Sequence, residues 1–159
     1  MRRLKLYIET SVWNYVFADD SPEKKDITMD FFNLIQKGVY EIYISDVVFL
    51  EIERAVDDVR QRLSHLIKKY SPEVIESSPE AEELAREYLV RKIIPPSKIE
   101  DALHIAIATV EELDAVVTWN YRHMANLRKA ELFYSVNIEM GYYKRLEIIT
   151  PMEVSRHER

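Results

Sequence analysis

Residues 7–15 read YIETSVWNY. Tyr7 and Ile8 close an apolar strand that starts at Leu4, and the strand ends on an acid, Glu9, followed by two hydroxyls, Thr10 and Ser11. A short apolar run of this kind suits a buried strand. An acid placed where such a strand stops asks for a physical reason, and the reason depends on what surrounds it.

Working outward, the chain alternates strands with helices. Ser21-Pro22 offers an N-cap followed by proline at the first helical position. The helix it opens is expected to run through MDFFNLIQKG to a stop at Gly38. Tyr40–Ile44 is β-branched and aromatic and predicts a second strand. Ser45 can cap SDVVFLEIERA, and DVRQRLSHLIKKY predicts a further helix. Val74-Ile75 is a short third strand, and Ser78-Pro79 opens the helix EAEELAREYLVRK. Pro95-Pro96 breaks the chain, after which Ser97 and Glu100 have capping-box spacing. In SKIEDALHIAIATVEEL the apolar residues Ile99, Ala102, Leu103, Ala106, Ile107, Val110 and Leu113 keep helical period. Ala115–Trp119 predicts a fourth strand, Arg122 to Met140 a helix, and Leu146–Ile149 a last strand. This alternation implies a three-layer α/β/α domain with a short parallel sheet, spanning residues 1–159 as one unit.

Composition narrows the function. Hydrophobic residues make up 47% of the 159 positions, enough for a core, and no apolar run reaches membrane-spanning length. The N-terminus lacks an apolar stretch of signal length, and cysteine is absent. A cytoplasmic protein is expected. A net charge of −6 argues against a broadly basic nucleic-acid binder, though not against a local basic groove. Two glycines exclude a Gly-rich phosphate loop.

In parallel sheets ligands sit beyond the carboxyl ends of the strands. Glu9 and Asn120 fall at two such ends, while Glu51 and Asp101 interrupt apolar surroundings on helices. Converging carboxylates raise one another's pKa unless a cation balances them. Mg²⁺ or Mn²⁺ wants oxygen ligands and keeps waters. Zinc fits less well, because there is no cysteine and His65, His104, His123 and His157 lack ligand spacing. A hard divalent ion beside a phosphodiester points to metal-dependent hydrolysis.

Four stretches, in order, resemble the motifs of the PIN-domain ribonucleases, the family of VapC-like toxins. YIETSVWNY is similar to the family's strand ending in Asp-Thr-Ser or Asp-Thr-Asn. SDVVFLEIERA resembles its Ser followed by an acid-bearing helix, and SKIEDALHIAIA its Asp-Ala-x-His-x-Ala-x-Ala helix. AVVTWN resembles the strand ending in Thr-x-Asp or Thr-x-Asn. The resemblance implies a metal-dependent endoribonuclease acting on RNA, often a homodimer and often held by an antitoxin protein. It places the catalytic set on Glu9, Glu51, Asp101 and Asn120, with Mg²⁺ or Mn²⁺ held by Glu9, Glu51 and Asp101. Thr10, Ser11 and Thr118 match pocket-lining hydroxyls. Glu9 stands where the family usually has Asp, and Asn120 is neutral. Three charges instead of four imply weaker binding of a second ion.

Other readings stand beside these. Glu9 can act as a helix N-terminal acid, Glu51 as a solvated helix acid beside Glu53 and Arg54, Asp101 as a first-turn acid in a capped helix, and Asn120 as a cap or turn residue after the strand. His104 reads as a packed structural histidine, and Asp114 as a turn residue at the opposite sheet edge. Trp13, Tyr15 and Phe17 read as core or interface residues, and Trp119 as a packing residue that could instead stack on a base. Arg91, Lys92 and Lys98, with Arg122, His123, Arg128 and Lys129, can meet RNA phosphates only if the fold clusters them. A catalytically weakened PIN-like module binding RNA or protein, and a small-molecule phosphohydrolase, are the rival functions.

Overall fold

The computed structural model describes residues 2–157, with side chains described through residue 154. Among these residues five strands, β1 (Leu4–Ile8), β2 (Tyr40–Ser45), β3 (Glu73–Ile75), β4 (Ala115–Val117) and β5 (Glu147–Ile149), lie parallel in the order β3-β2-β1-β4-β5. Leu6 in the central strand aligns with Ile42 on one side and Ala115 on the other. Leu6, Tyr7, Ile8 and all of β4 are buried, as strands covered on both faces must be.

Among the described residues eight α-helices supply the cover: α1 (Thr10–Tyr15), α2 (Pro22–Gln36), α3 (Asp46–Glu53), α4 (Asp57–Tyr70), α5 (Pro79–Val90), α6 (Ile99–Val110), α7 (Leu127–Glu139) and α8 (Pro151–His157). The chain steps outward from β1 to β2 to β3, crosses back to β4, then steps to β5. Right-handed crossovers in opposite directions put the connecting helices on opposite faces. Accordingly α2 packs against α1 and α8, while α5 packs against α6 and α7. The result is the expected three-layer α/β/α architecture. The strand order reverses between β1 and β4, and in open sheets of this kind ligands sit at such a reversal, beyond the carboxyl ends.

Local chemistry sets most boundaries. Ser45 Oγ accepts from Val47 N at 3.1 Å and Ser78 Oγ from Ala81 N at 3.1 Å, so both caps form as the sequence implies. After α2, Gly38 takes φ +79° and the Gly38 and Val39 amides bond back to Ile35 and Leu34, a Schellman stop. Ser21 makes no side-chain cap bond.

Two further expectations need correction, and one helix lies outside the expected set. The Ser97–Glu100 capping box does not form, because a 3₁₀ turn at Pro96–Lys98 precedes α6 and the Glu100 carboxylate pairs with Arg54, at the C-cap of α3, instead. The helix expected from Arg122 starts at Leu127; Asn126 caps it by accepting from Lys129 N at 2.9 Å, and its amide donates to Tyr121 O. The unforeseen α8 follows Thr150-Pro151, where Thr150 N donates to the Glu153 carboxylate at 3.2 Å.

At the amino end of the sheet Asp114 accepts from Lys5 N at 2.7 Å, from Arg2 at 2.9 Å and from Lys144 at 2.9 Å. It joins β1, β4 and the segment before β5. Trp13 is buried and donates to Ile8 O; Trp119 is buried and donates to Thr28 Oγ1 at 2.9 Å. Both indoles therefore pack.

Candidate active site

The hydroxyls after Glu9 explain why the strand ends as it does. Ser11 Oγ donates to Glu9 Oε1 at 2.5 Å, Thr118 Oγ1 donates to the same oxygen at 2.7 Å, and Ser11 N adds a third bond at 3.1 Å. Thr10 Oγ1 points elsewhere and donates to Glu51 Oε1 at 2.7 Å. Each hydroxyl thus holds a carboxylate, one just after β1 and one on α3. Glu9 also caps α1, so the helix-end reading and the site reading describe one residue. The Glu9 amide donates to Val117 O at 3.1 Å, which fixes it at the β1–β4 reversal.

His104 sits on α6 with no exposed surface, as a packed histidine should, but it packs against the site. Its Nε2 bonds Glu51 Oε1 at 2.5 Å and its Nδ1 bonds the Tyr7 hydroxyl at 2.6 Å. Tyr7 OH meets Ser45 Oγ at 2.7 Å. In the neutral ring with its proton on Nε2, every donor finds one acceptor: Val47 N to Ser45, Ser45 to Tyr7, Tyr7 to Nδ1, and Nε2 to Glu51. In the imidazolium, Nδ1 donates to Tyr7 and Tyr7 to Ser45. Both arrangements hold the Glu51 carboxylate. Burial lowers the His104 pKa, but the bond to Glu51 and the charges of Glu9, Glu51 and Asp101 outweigh it and raise the pKa overall. Burial raises the Glu51 pKa, but the bonds from His104 and Thr10 outweigh it and hold the group below its ordinary range. Tyr7 and His104 as Glu51 supports were missed by sequence reasoning. Tyr7 lies among the apolar residues of β1 and reads as core, so nothing in the sequence marks it.

Asp101, on the first turn of α6, is 9% exposed. Burial and then the Glu9 charge raise its carboxyl pKa to about 6. Asn120 Nδ2 donates to Asp101 Oδ2 at 3.2 Å, and its Oδ1 accepts from His123 N at 2.9 Å. Asn120 is therefore both a turn residue and a neighbour of the acids. The Arg54–Glu100 pair links α3 to α6, the helices that carry Glu51 and Asp101.

The ligand atoms of Glu9, Glu51 and His104 lie within 4.8 Å of one another. Asp101 stands outside that tight group, yet close enough that Glu9 and Glu51 both raise its pKa. Among the described residues no lysine or arginine ion-pairs with Glu9, Glu51 or Asp101. Both His104 ring nitrogens are already engaged, so the donors turned to a ligand are carboxylate oxygens. This donor set fits a hard divalent cation.

The family model of the PIN domain matches residues 6–130, which span β1 through the start of α7 and include every acid above. The chain belongs to the PIN domain family. Three solved structures share the fold of this PIN domain. VapBC2 from Rickettsia felis, bound to a DNA fragment from its promoter, is 15% identical with TM-score 0.56, over 92% of this chain and 98% of that one. VapC20 of Mycobacterium tuberculosis, a Sarcin-Ricin loop cleaving toxin, is 17% identical with TM-score 0.51, over 70% and 86%. DNA-bound VapBC from Salmonella typhimurium is 19% identical with TM-score 0.54, over 93% and 98%. No curated protein sequence matches the chain at significance.

Proposed function

We propose that this PIN domain is a metal-dependent endoribonuclease that hydrolyses RNA phosphodiester bonds. The observation that supports it most is the acid cluster at the β1–β4 reversal, with which no lysine or arginine of the described residues ion-pairs. Glu9, Glu51 and Asp101 would hold one Mg²⁺ or Mn²⁺. When bound, such an ion supplies Lewis acidity to a phosphoryl oxygen and lowers the pKa of a bound water. The chain's own residues do the rest. Ser11, Thr118 and Thr10 fix carboxylate orientation, the Tyr7–His104 pair locks Glu51, and Asn120 offers its amide to a water or to the scissile phosphate.

The likeness to VapBC structures supports a toxin role with an antitoxin protein as partner. Exposed Phe49 and Leu50 on α3 and Val56 just after it offer an apolar surface for a partner or for a homodimer. Among the described residues no helix is long and apolar enough to cross a membrane, and a cytoplasmic location is part of the proposal. Asn120 in the fourth acid position favours one alternative, a weakened module that binds RNA or protein without turnover.

The test is cleavage of single-stranded RNA with Mn²⁺, with chelator, and by Asp101→Asn. Loss of three or more orders of magnitude is expected in the variant, roughly 4 kcal/mol of transition-state stabilisation. Unimpaired cleavage by Asp101→Asn, or cleavage indifferent to chelator, contradicts the assignment.

A further inference from the structure

Cationic residues from two distant segments meet in one place. A cleft of about 500 Å³ lies between the end of α5 and the turn after β4, with Lys92 on one wall and Arg122, His123 and Lys129 on the other. The Lys129 ammonium donates to the Ile93 carbonyl and ties the walls together. Arg91, just outside, is neutralised by Glu87 and Glu139. Elsewhere Arg2, Arg54, Arg60 and Arg145 are likewise paired. Among the described residues no carboxylate ion-pairs with Lys92, Arg122 or Lys129. A chain of net charge −6 thus keeps an uncompensated positive cleft. Burial, and then Arg122, Lys129 and Lys98, hold His123 below its ordinary pKa, which reports the positive field there.

Two further observations give the cleft direction. It adjoins the acids, since His123 N donates to Asn120 Oδ1 and Asn120 Nδ2 donates to Asp101. Its rim also carries Pro95 and Val90, apolar surface on which a nucleobase can rest. Lys92 takes φ +60° at the Schellman stop of α5, the position that Gly38 and Gly141 fill after α2 and α7 and that Glu112 fills after α6. A lysine there accepts backbone strain that glycine avoids.

We propose that this cleft seats the backbone phosphates of a single RNA strand and leads that strand to the acid site. Which strand enters rests on the nuclease reading above; that a polyanion enters rests on the cleft alone.

The test is binding of a short single-stranded RNA oligonucleotide across a salt series, on an Asp101→Asn background that blocks turnover. Lys92→Gly with Arg122→Ala is compared with Lys37→Ala plus Lys68→Ala, which removes the same charge from exposed positions near the amino ends of β2 and β3. Each phosphate contact contributes about 0.7 to the salt slope for a single strand. Two lost contacts flatten the slope by about 1.4 and weaken binding about 25-fold at about 0.1 M salt. Lys92→Gly relieves strain, so the cleft variant should melt no lower than its parent, which separates lost binding from lost folding. Equal losses in both variants, or none in either, overturn the cleft as an RNA seat. So does failure of the parent to bind RNA, which leaves the cleft to an acidic protein segment. Wild-type cleavage with unchanged affinity in the cleft variant sinks the cleft alone. Cleft-dependent binding without wild-type cleavage sustains the cleft and overturns the nuclease reading.

Discussion

Asp101 and Asp114 lie at opposite ends of the same sheet and answer to opposite environments. Asp114 accepts from Arg2, Lys144 and the Lys5 amide, and although burial pushes its carboxyl up, these bonds hold it well below the ordinary range. Asp101 is buried near Glu9 and Glu51 with no basic partner but His104, and its pKa rises to about 6. One acid brings its own cations; the other shares a pocket with more acids. The first arrangement is complete within the chain and serves the fold. The second is destabilising by itself and makes sense as a seat for a cation from outside.

Substitutions at the two ends should therefore move stability in opposite directions. Asp114→Asn removes the charge that two cations and an amide address, and is expected to cost about 2–3 kcal/mol, since charge-assisted bonds contribute more than neutral ones. For a chain of this size the melting temperature should fall by about 8 °C. A depressed carboxyl stabilises above its ordinary pKa of 3.8 and the effect is lost as pH falls through the folded value. The gap between wild type and Asp114→Asn should therefore persist to about pH 4 and close below it. A variant as stable as wild type at pH 7 would erase the contrast.

Asp101→Asn in metal-free protein should raise the melting temperature by about 5 °C at pH 7.5, because repulsion is relieved. The sign with pH is reversed here. A carboxyl raised from 3.8 to about 6 makes the folded state hold more protons, so stability falls as pH rises between those values. The advantage of the variant should accordingly shrink as pH falls below 6 and vanish near 4. A variant less stable than wild type at pH 7.5 would show that Asp101 is compensated within the chain.

Tyr7→Phe probes the site from behind and should have the smallest effect on folding. It removes one buried hydroxyl shared by His104 and Ser45, at about 1 kcal/mol or about 3 °C. Mn²⁺ affinity should weaken with it, because Glu51 loses the lock on its histidine. An unchanged affinity would confine Tyr7 to packing.

The sequence exposes the two ends unequally. The five strands of the described residues are legible as short apolar or β-branched runs, and Glu9 stands out as an acid where the first of them ends, while Glu51 and Asp101 stand out as acids among apolar neighbours on helices. Asp114 is legible as a turn residue, but its cations Arg2 and Lys144 come from remote parts of the chain. The Ser97–Glu100 box has the right spacing and still fails, because Pro96 starts a 3₁₀ turn and Arg54 competes for Glu100. Asn126 and Thr150-Pro151 did carry the signals for the true start of α7 and for α8. His104 reads as packing because helical period shows which face is buried, not which polar group waits there. The clustering of Lys92 with Arg122 and Lys129 depends on the crossover from β3 to β4, which only the fold reveals.

The most direct measurement is a thermal melt of wild type, Asp101→Asn and Asp114→Asn with and without Mn²⁺. At about a hundredfold excess over the dissociation constant, binding adds about 2.7 kcal/mol to the state that binds. A rise of about 8 °C is expected in wild type and in Asp114→Asn, and none in Asp101→Asn. No rise in wild type, or an equal rise in Asp101→Asn, contradicts a divalent-cation seat among these acids.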